Sequence, residues 1–401
     1  MDFSSLRKDF PALSRRVGGK PLVYLDSACM SLKPNQVIEA MLQYYREFPA
    51  CAGRSNHTLG SEATERYQAS RKAVQRLIGA KKAEEIVFTR NTTEGINLIA
   101  KSLGLKAGDT VLTTDREHNS NLLPWQMLSE RKGTRHRVVP SKQDNTFDLT
   151  ALEALLDKSV KLVSFVHTSN LDGYTLPAKE IIKASHDNGS LVLVDAAQSV
   201  PHKKVDVRRL DADFLAFSGH KMLGPTGTGV LYGRQNLLEK LEPFIVGGET
   251  VEYTTYETHK FLKPPEKFEA GLQDYAGLIG LGAAADYLQR AGLENIEAHE
   301  KDVSKIIFEG LSAMDKVQLI APPETSRGGI ISFNIKGVKY HQVSLLLDKA
   351  GIAVRSGQHC AHSWFRARGM EGCVRASLYL YNTIEEAGLF AEEVGKIARL
   401  G

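Results

Sequence analysis

The strongest constraint on the fold is an alternation of short apolar segments with helix-forming segments between residues 84 and 232. The apolar segments are rich in Val, Ile, Leu and Phe and show little polar alternation, which is typical of strands covered on both faces. They are EIVFT (85–89), TVLTT (110–114), KLVSFV (161–166), LVLVD (191–195), DFLAF (213–217) and GVLYG (229–233). The alternation predicts an α/β fold in which helices flank a mainly parallel sheet.

The C-terminal part of the chain has a different pattern and indicates a second, smaller α/β domain. A helical stretch over 286–314 precedes a strand-like segment at 330–335, a helix over 341–351, a strand-like segment at 352–357 and a final helix after Thr383. The sequence therefore predicts a large domain and a small domain, with the N-terminal segment packed on the small one. The predicted ranges are 22–285, 286–401 and 1–21, respectively.

Charge and cysteine content narrow the possible partners and the compartment. Lys and Arg (51) nearly balance Asp and Glu (47), and no block of five or more like charges occurs, so we expect neither a nucleic acid nor a membrane as partner. Four cysteines in 401 residues are too few for a disulfide framework. No segment resembles a signal peptide or a bilayer span. These features predict a soluble protein of the cytoplasm.

Polar residues follow several of the predicted strands, where ligands collect in open α/β sheets. These residues are Thr92, Thr93, His118, Asn170, Asp195, Gln198, Ser218, His220 and Lys221. The start of a helix suits a phosphate, which makes Thr92 and Thr93 candidate phosphate contacts. Lys221 is either a further phosphate donor or an amine that forms a Schiff base with a carbonyl cofactor. An acid at the end of a buried strand, such as Asp195, needs a cationic partner.

An aspartate for a ring nitrogen and a lysine for an aldehyde are the pair that pyridoxal 5′-phosphate (PLP) requires. Several motifs strengthen this interpretation and occur in family order over nearly the whole chain. They are LDSA (25–28), HTLG (57–60), FTRNTTEGIN (88–97), REHNSNLLPWQ (116–126), VDAAQSVPH (194–202), FSGHKMLGPTGTGVLYG (217–233), FEAG (268–271), SGQHCAHSWF (356–365) and CVRASLYLYNT (373–383). The sequence resembles fold-type I PLP enzymes of the class V aminotransferase family, most closely the SUF-type cysteine desulfurases and selenocysteine lyases.

The resemblance implies a role for each matching residue. Lys221 would carry the cofactor, His118 would stack on its ring, Asp195 would hold the ring nitrogen and Gln198 would contact the ring hydroxyl oxygen. The implied phosphate contacts are Thr93, Ser218 and His220, beside Thr92. The implied substrate-binding residues are Asn170, Arg375, Arg355 and His57.

The resemblance also implies the reaction, in which L-cysteine becomes alanine and its sulfur is held as a persulfide on Cys360. This sulfur would serve iron–sulfur cluster assembly, and the enzyme would be a homodimer that can hand sulfur to an acceptor protein. The attacking species is the thiolate, so Cys360 needs a lowered pKa, which His359, His362 or Arg355 could provide if one of them faces it. Selenocysteine lyase, an aminotransferase, and a non-enzymatic sulfur carrier or scaffold are the alternatives.

Other features favour simpler interpretations. The adjacent positions of HCAH (359–362) suit a metal site poorly, and we expect no metal. Cys29, Cys51 and Cys373 are interpreted as small buried hydrophobic residues. After FEAG, Leu272 and Gln273 stand where the SUF-type pattern has Thr-Pro, so a phosphate contact between subunits is either lost or supplied by Gln273.

Overall fold

A computed structural model describes residues 3–321 and 326–400. Its helices are α1 (Phe3–Leu6), α2 (Asn35–Glu47), α3 (Thr58–Ile78), α4 (Thr92–Ser102), α5 (Leu123–Lys132), α6 (Leu149–Leu155), α7 (Ala178–Asp187), α8 (Val207–Leu210), α9 (Gln235–Leu238), α10 (Tyr275–Ala291), α11 (Leu293–Ser312), α12 (Tyr340–Lys349), α13 (His362–Ala367) and α14 (Ile384–Ala398). Its strands are β1 (Arg16–Val17), β2 (Lys20–Pro21), β3 (Val23–Tyr24), β4 (Ile86–Thr89), β5 (Thr110–Thr114), β6 (Arg135–Val139), β7 (Val160–Val166), β8 (Leu191–Asp195), β9 (Phe214–Ser218), β10 (Gly229–Gly233), β11 (Val251–Thr254), β12 (His259–Phe261), β13 (Val317–Ile320), β14 (Ile330–Ile335), β15 (Ile352–Ala353), β16 (Arg355–Gly357) and β17 (Cys373–Ser377).

The large sheet has seven strands in the order β4-β10-β9-β8-β7-β5-β6. Strand β10 is antiparallel to both of its neighbours, and the other pairs are parallel. The six predicted strands are all present, each within one residue of its predicted ends. The prediction of an α/β fold with a mainly parallel sheet flanked by helices is therefore confirmed.

Helices cover both faces of this sheet, which explains why its strands are continuously apolar. In β8, Val192 and Val194 belong to one buried cluster, whereas Leu193 belongs to another. In β9, Leu215 and Phe217 alternate with Phe214 and Ala216 between the same two clusters. Side chains alternate across a strand, so the two clusters are the two buried faces.

A second sheet of four antiparallel strands, β13-β14-β17-β16, has its own buried core with α11, α12 and α14. This sheet and its core, called the smaller unit below, lie in the part of the chain for which the sequence predicts a smaller α/β domain. Helix α10 runs without interruption past residue 286, where the domain boundary is predicted. The predicted helical stretch over 286–314 is present as the end of α10 and most of α11, with a break at Gly292, whose φ of 77° interrupts helical geometry. The division into domains stays a prediction.

The N-terminal segment contacts residues that follow position 286. The ring of Phe10 packs edge-on against Tyr287 and Tyr381, and Asp9 Oδ2 accepts a hydrogen bond from the Tyr287 hydroxyl at 2.8 Å. Strand β3 also pairs in parallel with β15. Among residues 3–321 and 326–400, no helix combines the length and the hydrophobicity that a bilayer span needs.

Candidate active site

A cavity of about 240 Å³ opens at the carboxyl ends of the large sheet's parallel strands and faces the smaller unit. Every residue that the sequence assigned to a site lines this cavity, with the exception of His57. The assigned residues in its lining are Thr92, Thr93, His118, Asn170, Asp195, Gln198, Ser218, His220, Lys221, Arg355, Cys360 and Arg375. Residues up to 347 positions apart in the chain, from Ala28 to Arg375 (375 minus 28), therefore meet at one place.

His57 lies elsewhere in this chain. It caps the start of α3, where its Nδ1 accepts a hydrogen bond from the backbone N–H of Gly60 at 3.2 Å. Histidine at a helix N-terminus serves the same purpose as the more common Ser or Asp caps. The assignment of His57 to substrate binding stays a prediction.

Asp195 ends β8 with its side chain buried. Its Oδ1 accepts a hydrogen bond from the backbone N–H of Ala197 at 3.0 Å, and its Oδ2 has no partner among the described residues. Burial raises the pKa of Asp195, and the nearby Lys221 opposes that rise. A cationic ligand atom at this position would stabilise the carboxylate further.

Lys221 ends a short 3₁₀ turn that follows β9 directly. Burial lowers the pKa of Lys221; Asp195 opposes this shift, and Arg375 adds to it. Lys221 lines the cavity, and its Nζ has no hydrogen bond to any described residue. A lysine with a lowered pKa and an unengaged amine is suited to nucleophilic and base chemistry.

His118 presents a neutral ring to the cavity. Its Nδ1 accepts a hydrogen bond from the backbone N–H of Ser120 at 3.0 Å, which leaves the ring proton on Nε2. Burial, together with the charges of Lys221 and Arg375, lowers the pKa of His118 to about 3. The imidazole is therefore uncharged at neutral pH and can serve as a flat wall for an aromatic ligand.

The start of α4 forms one end of the cavity. The Ser218 hydroxyl accepts a hydrogen bond from the backbone N–H of Thr92 at 2.9 Å and lies 2.6 Å from the Thr92 hydroxyl. The Thr93 hydroxyl lies 2.8 Å from that of Ser120. Burial lowers the pKa of His220 to about 4, and the positive charges of Lys221 and Lys33 add to the shift. Hydroxyls, a neutral imidazole and a helix N-terminus together suit a phosphate group.

The smaller unit closes the opposite end with two arginines. Arg375, in the middle of β17, is buried and donates a hydrogen bond from Nη1 to the backbone carbonyl of Asn170 at 2.9 Å. Arg355 donates from Nε and Nη2 to the carboxylate of Asp26, at 3.0–3.2 Å. Arg375 Nη2 lies 3.6 Å from the same carboxylate. Asp26 belongs to the LDSA motif, but a lone acid in a short extended segment carries no sequence signal for this contact.

Several buried polar atoms in the cavity wall near the two arginines have no hydrogen-bond partner among the described residues. Arg375 Nε and Asn170 Oδ1 are buried and have no hydrogen-bond partner among the described residues. The same holds for Gln198 Oε1, whereas Gln198 Nε2 donates to the Ala28 carbonyl at 2.7 Å. Buried polar groups without partners are rare and costly, so their clustering here indicates a polar ligand.

Cys360 lies exposed on the loop between β16 and α13. Both His359 and Cys360 have left-handed backbone conformations, with φ of 50° and 58°. Such conformations are unfavourable for residues other than glycine and persist where neighbouring contacts hold them. Here the Cys360 carbonyl accepts from the backbone N–H of Asn119 at 2.7 Å, and the His359 carbonyl accepts from Asn170 Nδ2 at 2.8 Å.

The three groups expected near the Cys360 thiol are engaged elsewhere. His359 Nε2 lies 3.2 Å from Cys373 Sγ, and burial lowers the pKa of His359 to about 2, so this ring is neutral. His362 Nδ1 lies 2.9 Å from Asn119 Nδ2, and Arg355 pairs with Asp26. Within the described residues, none of them has a hydrogen bond to the Cys360 thiol.

The interpretation of the other cysteines as buried is correct only for Cys373. Cys51 is exposed, and Cys29 is half-buried and lines the cavity. Both lie in segments without regular structure, where apolar spacing gives no information about burial. In the part of the chain that the structure describes, no group of three or more His, Cys, Asp or Glu side chains could hold a metal ion.

Known proteins with this architecture share both sequence and fold with the chain. The model of the family described as aminotransferase class-V matches residues 23–390. A probable cysteine desulfurase of Halalkalibacterium halodurans is 43% identical over 399 residues, which make up 99% of this chain and 98% of the relative.

Two solved structures are also similar. The apo structure of a cysteine desulfurase from Thermococcus onnurineus NA1 has a TM-score of 0.95 and 40% identity, and the match covers 99% of this chain and 98% of that chain. The cysteine desulfurase CsdA from Escherichia coli has a TM-score of 0.93 and 32% identity, with coverage of 100% and 99%. The chain therefore belongs to the class V aminotransferase family.

Proposed function

We propose that this protein is a PLP-dependent L-cysteine desulfurase that holds the sulfur on Cys360. The observation that carries the proposal is the meeting of an acid, an amine and a thiol, Asp195, Lys221 and Cys360, in the wall of one cavity. An aminotransferase needs the first two groups, but it has no use for a thiol at this position.

The residues of the cavity fit PLP. Asp195 Oδ2 would face the ring nitrogen, His118 would stack on the ring, and the start of α4 with Ser218 would hold the phosphate. The unpartnered Gln198 Oε1 marks the part of the wall near which the ring hydroxyl would lie. Bound PLP would supply an electron sink for the electrons of the substrate's Cα–H bond.

Lys221 is the base that the geometry favours. Because its pKa is lowered by burial, more of its Nζ is neutral at a given pH than for an exposed lysine. A neutral amine in the cavity wall can accept the α-proton of the substrate and later return a proton to the product.

Cys360 supplies the nucleophile for sulfur transfer. Its thiolate would form the S–S bond as the C–S bond of the substrate breaks, and proton addition at the β-carbon would complete alanine. Arg375, buried at the opposite end, would bind the substrate carboxylate through its guanidinium group. Since Cys360 is exposed, the persulfide would be accessible to an acceptor.

The proposal also covers the use of the sulfur in the cell and the assembly of the protein. We infer sulfur supply for iron–sulfur cluster assembly in the cytoplasm, transfer to an acceptor protein, and a homodimer. Support for the dimer comes from Phe244, Ile245 and Leu272, whose side chains are 40–69% exposed and line one surface groove. Gln273 Nε2 is engaged with the Ala270 and Gly271 carbonyls, so in the dimer it would have to leave them to reach a neighbouring phosphate.

The decisive experiment incubates the PLP-loaded protein with L-cysteine, with and without a reductant. We expect alanine and sulfide in steady turnover with the reductant. Without it, we expect alanine formation to stop once Cys360 carries one additional sulfur atom, as read by peptide mass spectrometry. A keto acid in place of alanine would favour an aminotransferase, and turnover of selenocysteine alone would favour the lyase.

A further inference from the structure

We propose that Asp26 sets the charge selectivity of the substrate site, so that the site accepts amino acids with a single carboxylate. This inference rests on the proposed binding of the substrate carboxylate by Arg375. It concerns a residue that neither touches the cavity nor takes part in the reaction, and that acts through two arginines.

The contacts of Asp26 connect the two guanidinium groups. Its Oδ2 lies 3.0 Å from Arg355 Nη2, and its Oδ1 lies 3.6 Å from Arg375 Nη2. The exposed fraction falls from 44% for the Arg355 side chain through 16% for Asp26 to 3% for Arg375. The three groups therefore form a row from the cavity mouth to its floor, with the carboxylate between the two cations.

The net charge of Arg355, Asp26 and Arg375 can be neutralised by a single bound anion. Arg355, Arg375 and Asp26 together carry a net charge of +1. One substrate carboxylate would bring the row to zero. A second carboxylate would make it negative and would have to compete with Asp26 for Arg355, because a guanidinium that already binds one carboxylate has few donors left.

The backbone of Asp26 does not depend on its carboxylate. The residue forms a parallel bridge with Ser377, and its carbonyl accepts hydrogen bonds from the backbone N–H groups of Cys29 and Met30 at 3.1 and 3.2 Å. An amide in place of the carboxylate has the same shape and leaves these contacts in place. We therefore expect Asp26→Asn to remove a charge and to keep these backbone contacts.

The test measures binding of L-alanine and L-aspartate to the PLP-loaded protein by titration calorimetry, which requires no turnover. These ligands share the α-carboxylate, and aspartate adds a second carboxylate where cysteine has its thiol. We expect the natural protein to prefer alanine, and Asp26→Asn to shift the ratio of the two dissociation constants toward aspartate by about tenfold, since the released Arg355 can pair with the second carboxylate. An unchanged ratio would overturn the proposal.

Two further variants separate charge from structure. Asp26→Glu retains the carboxylate and should restore most of the preference for alanine. Asp115→Asn removes a carboxylate of similar exposure that pairs with Arg368 at 3.1 Å, outside the cavity, and should leave the ratio unchanged. A merely structural role of Asp26 would weaken the binding of both ligands equally in the two Asp26 variants and would leave the ratio of the two dissociation constants unchanged. If the natural protein fails to turn over cysteine, the calorimetric ratio still decides the role of Asp26.

Discussion

The two sides of the cavity are built in different ways. On the side of the large sheet, Asp195 and Ser218 are the last residues of buried strands, and Lys221 follows three residues after β9 ends. On the side of the smaller unit, Cys360 lies on an exposed loop, and Arg375 reaches the cavity from the middle of a strand. The groups assigned to the cofactor are thus positioned by regular backbone, whereas the group assigned to the sulfur is positioned by contacts between distant segments.

This difference corresponds to two chemical demands. Groups that hold a cofactor must keep their geometry and exclude water, which buried strand ends achieve. A thiol that receives sulfur and passes it on must be reachable from outside. The carbonyls of His359 and Cys360 are tied to Asn170 and Asn119, so the loop is fixed at its backbone while the thiol stays accessible.

The largest loss of activity should follow from a substitution on the side of the cavity formed by the large sheet. Lys221→Ala removes the amine that would hold the cofactor and move the α-proton, and we expect alanine formation to fall by at least about a thousandfold. The assay is alanine production under saturating cysteine and added PLP. Lys33→Met serves as control, because Lys33 is also a half-buried lysine with its pKa lowered, to about 8, and it should lose less than about tenfold. Equal losses in both variants would remove the distinction between the two lysines.

The substitution with the next largest expected effect tests whether the two sides of the cavity act independently. Cys360→Ser should lower alanine formation by about a hundredfold or more, because a hydroxyl is a poor nucleophile toward sulfur. Cofactor absorbance and binding of L-alanine should be unchanged, since the sheet side is intact. Cys51→Ser, at a second exposed cysteine, should behave like the natural protein in both measurements. Loss of cofactor binding in Cys360→Ser would show that the two sides are not independent.

The smallest effect concerns pH and tests both sides together. One buried histidine lies on each side of the cavity: His167 follows β7, and His359 lies on the loop that bears Cys360. Burial lowers the pKa of His167 to about 3 and that of His359 to about 2. Unfolded histidine takes up a proton near pH 6.5 while these native rings stay neutral, so the unfolded chain binds more protons below that pH. Stability should therefore fall as the pH falls below 6.5, by about 1 kcal/mol for each ring between pH 7 and pH 5.5.

Chemical denaturation at these two pH values measures this loss. His167→Asn and His359→Asn should each reduce the difference between the two free energies of unfolding by about 1 kcal/mol. His259→Asn, at an exposed ring, should leave it unchanged. The same difference in all variants would contradict the assignment of the pH dependence to buried neutral histidines.

The sheet side was largely predictable from sequence, because a continuous apolar segment indicates both a strand and the point at which its polar successors emerge. Strand β6 (RHRVV) was missed because it lies at the sheet edge, where polar residues are tolerated and the apolar signal disappears. On the other side, the resemblance identified Cys360 and Arg375. The pairing of Asp26 with two arginines depends on segments about 330 positions apart, which no local pattern encodes.

The pairing of β3 with β15 affects the order in which the protein becomes functional during synthesis. The backbone N–H groups of Val23, Leu25 and Ser27 donate to carbonyls between residues 351 and 377, such as the Ser377 carbonyl that accepts from Ser27. The ribosome must therefore release nearly the whole chain before the segment that bears Asp26 can take its place. Until that point the chain also lacks the part of the cavity lining that carries Arg355, Cys360 and Arg375, so we expect release of sulfur from an amino acid to await the completed chain.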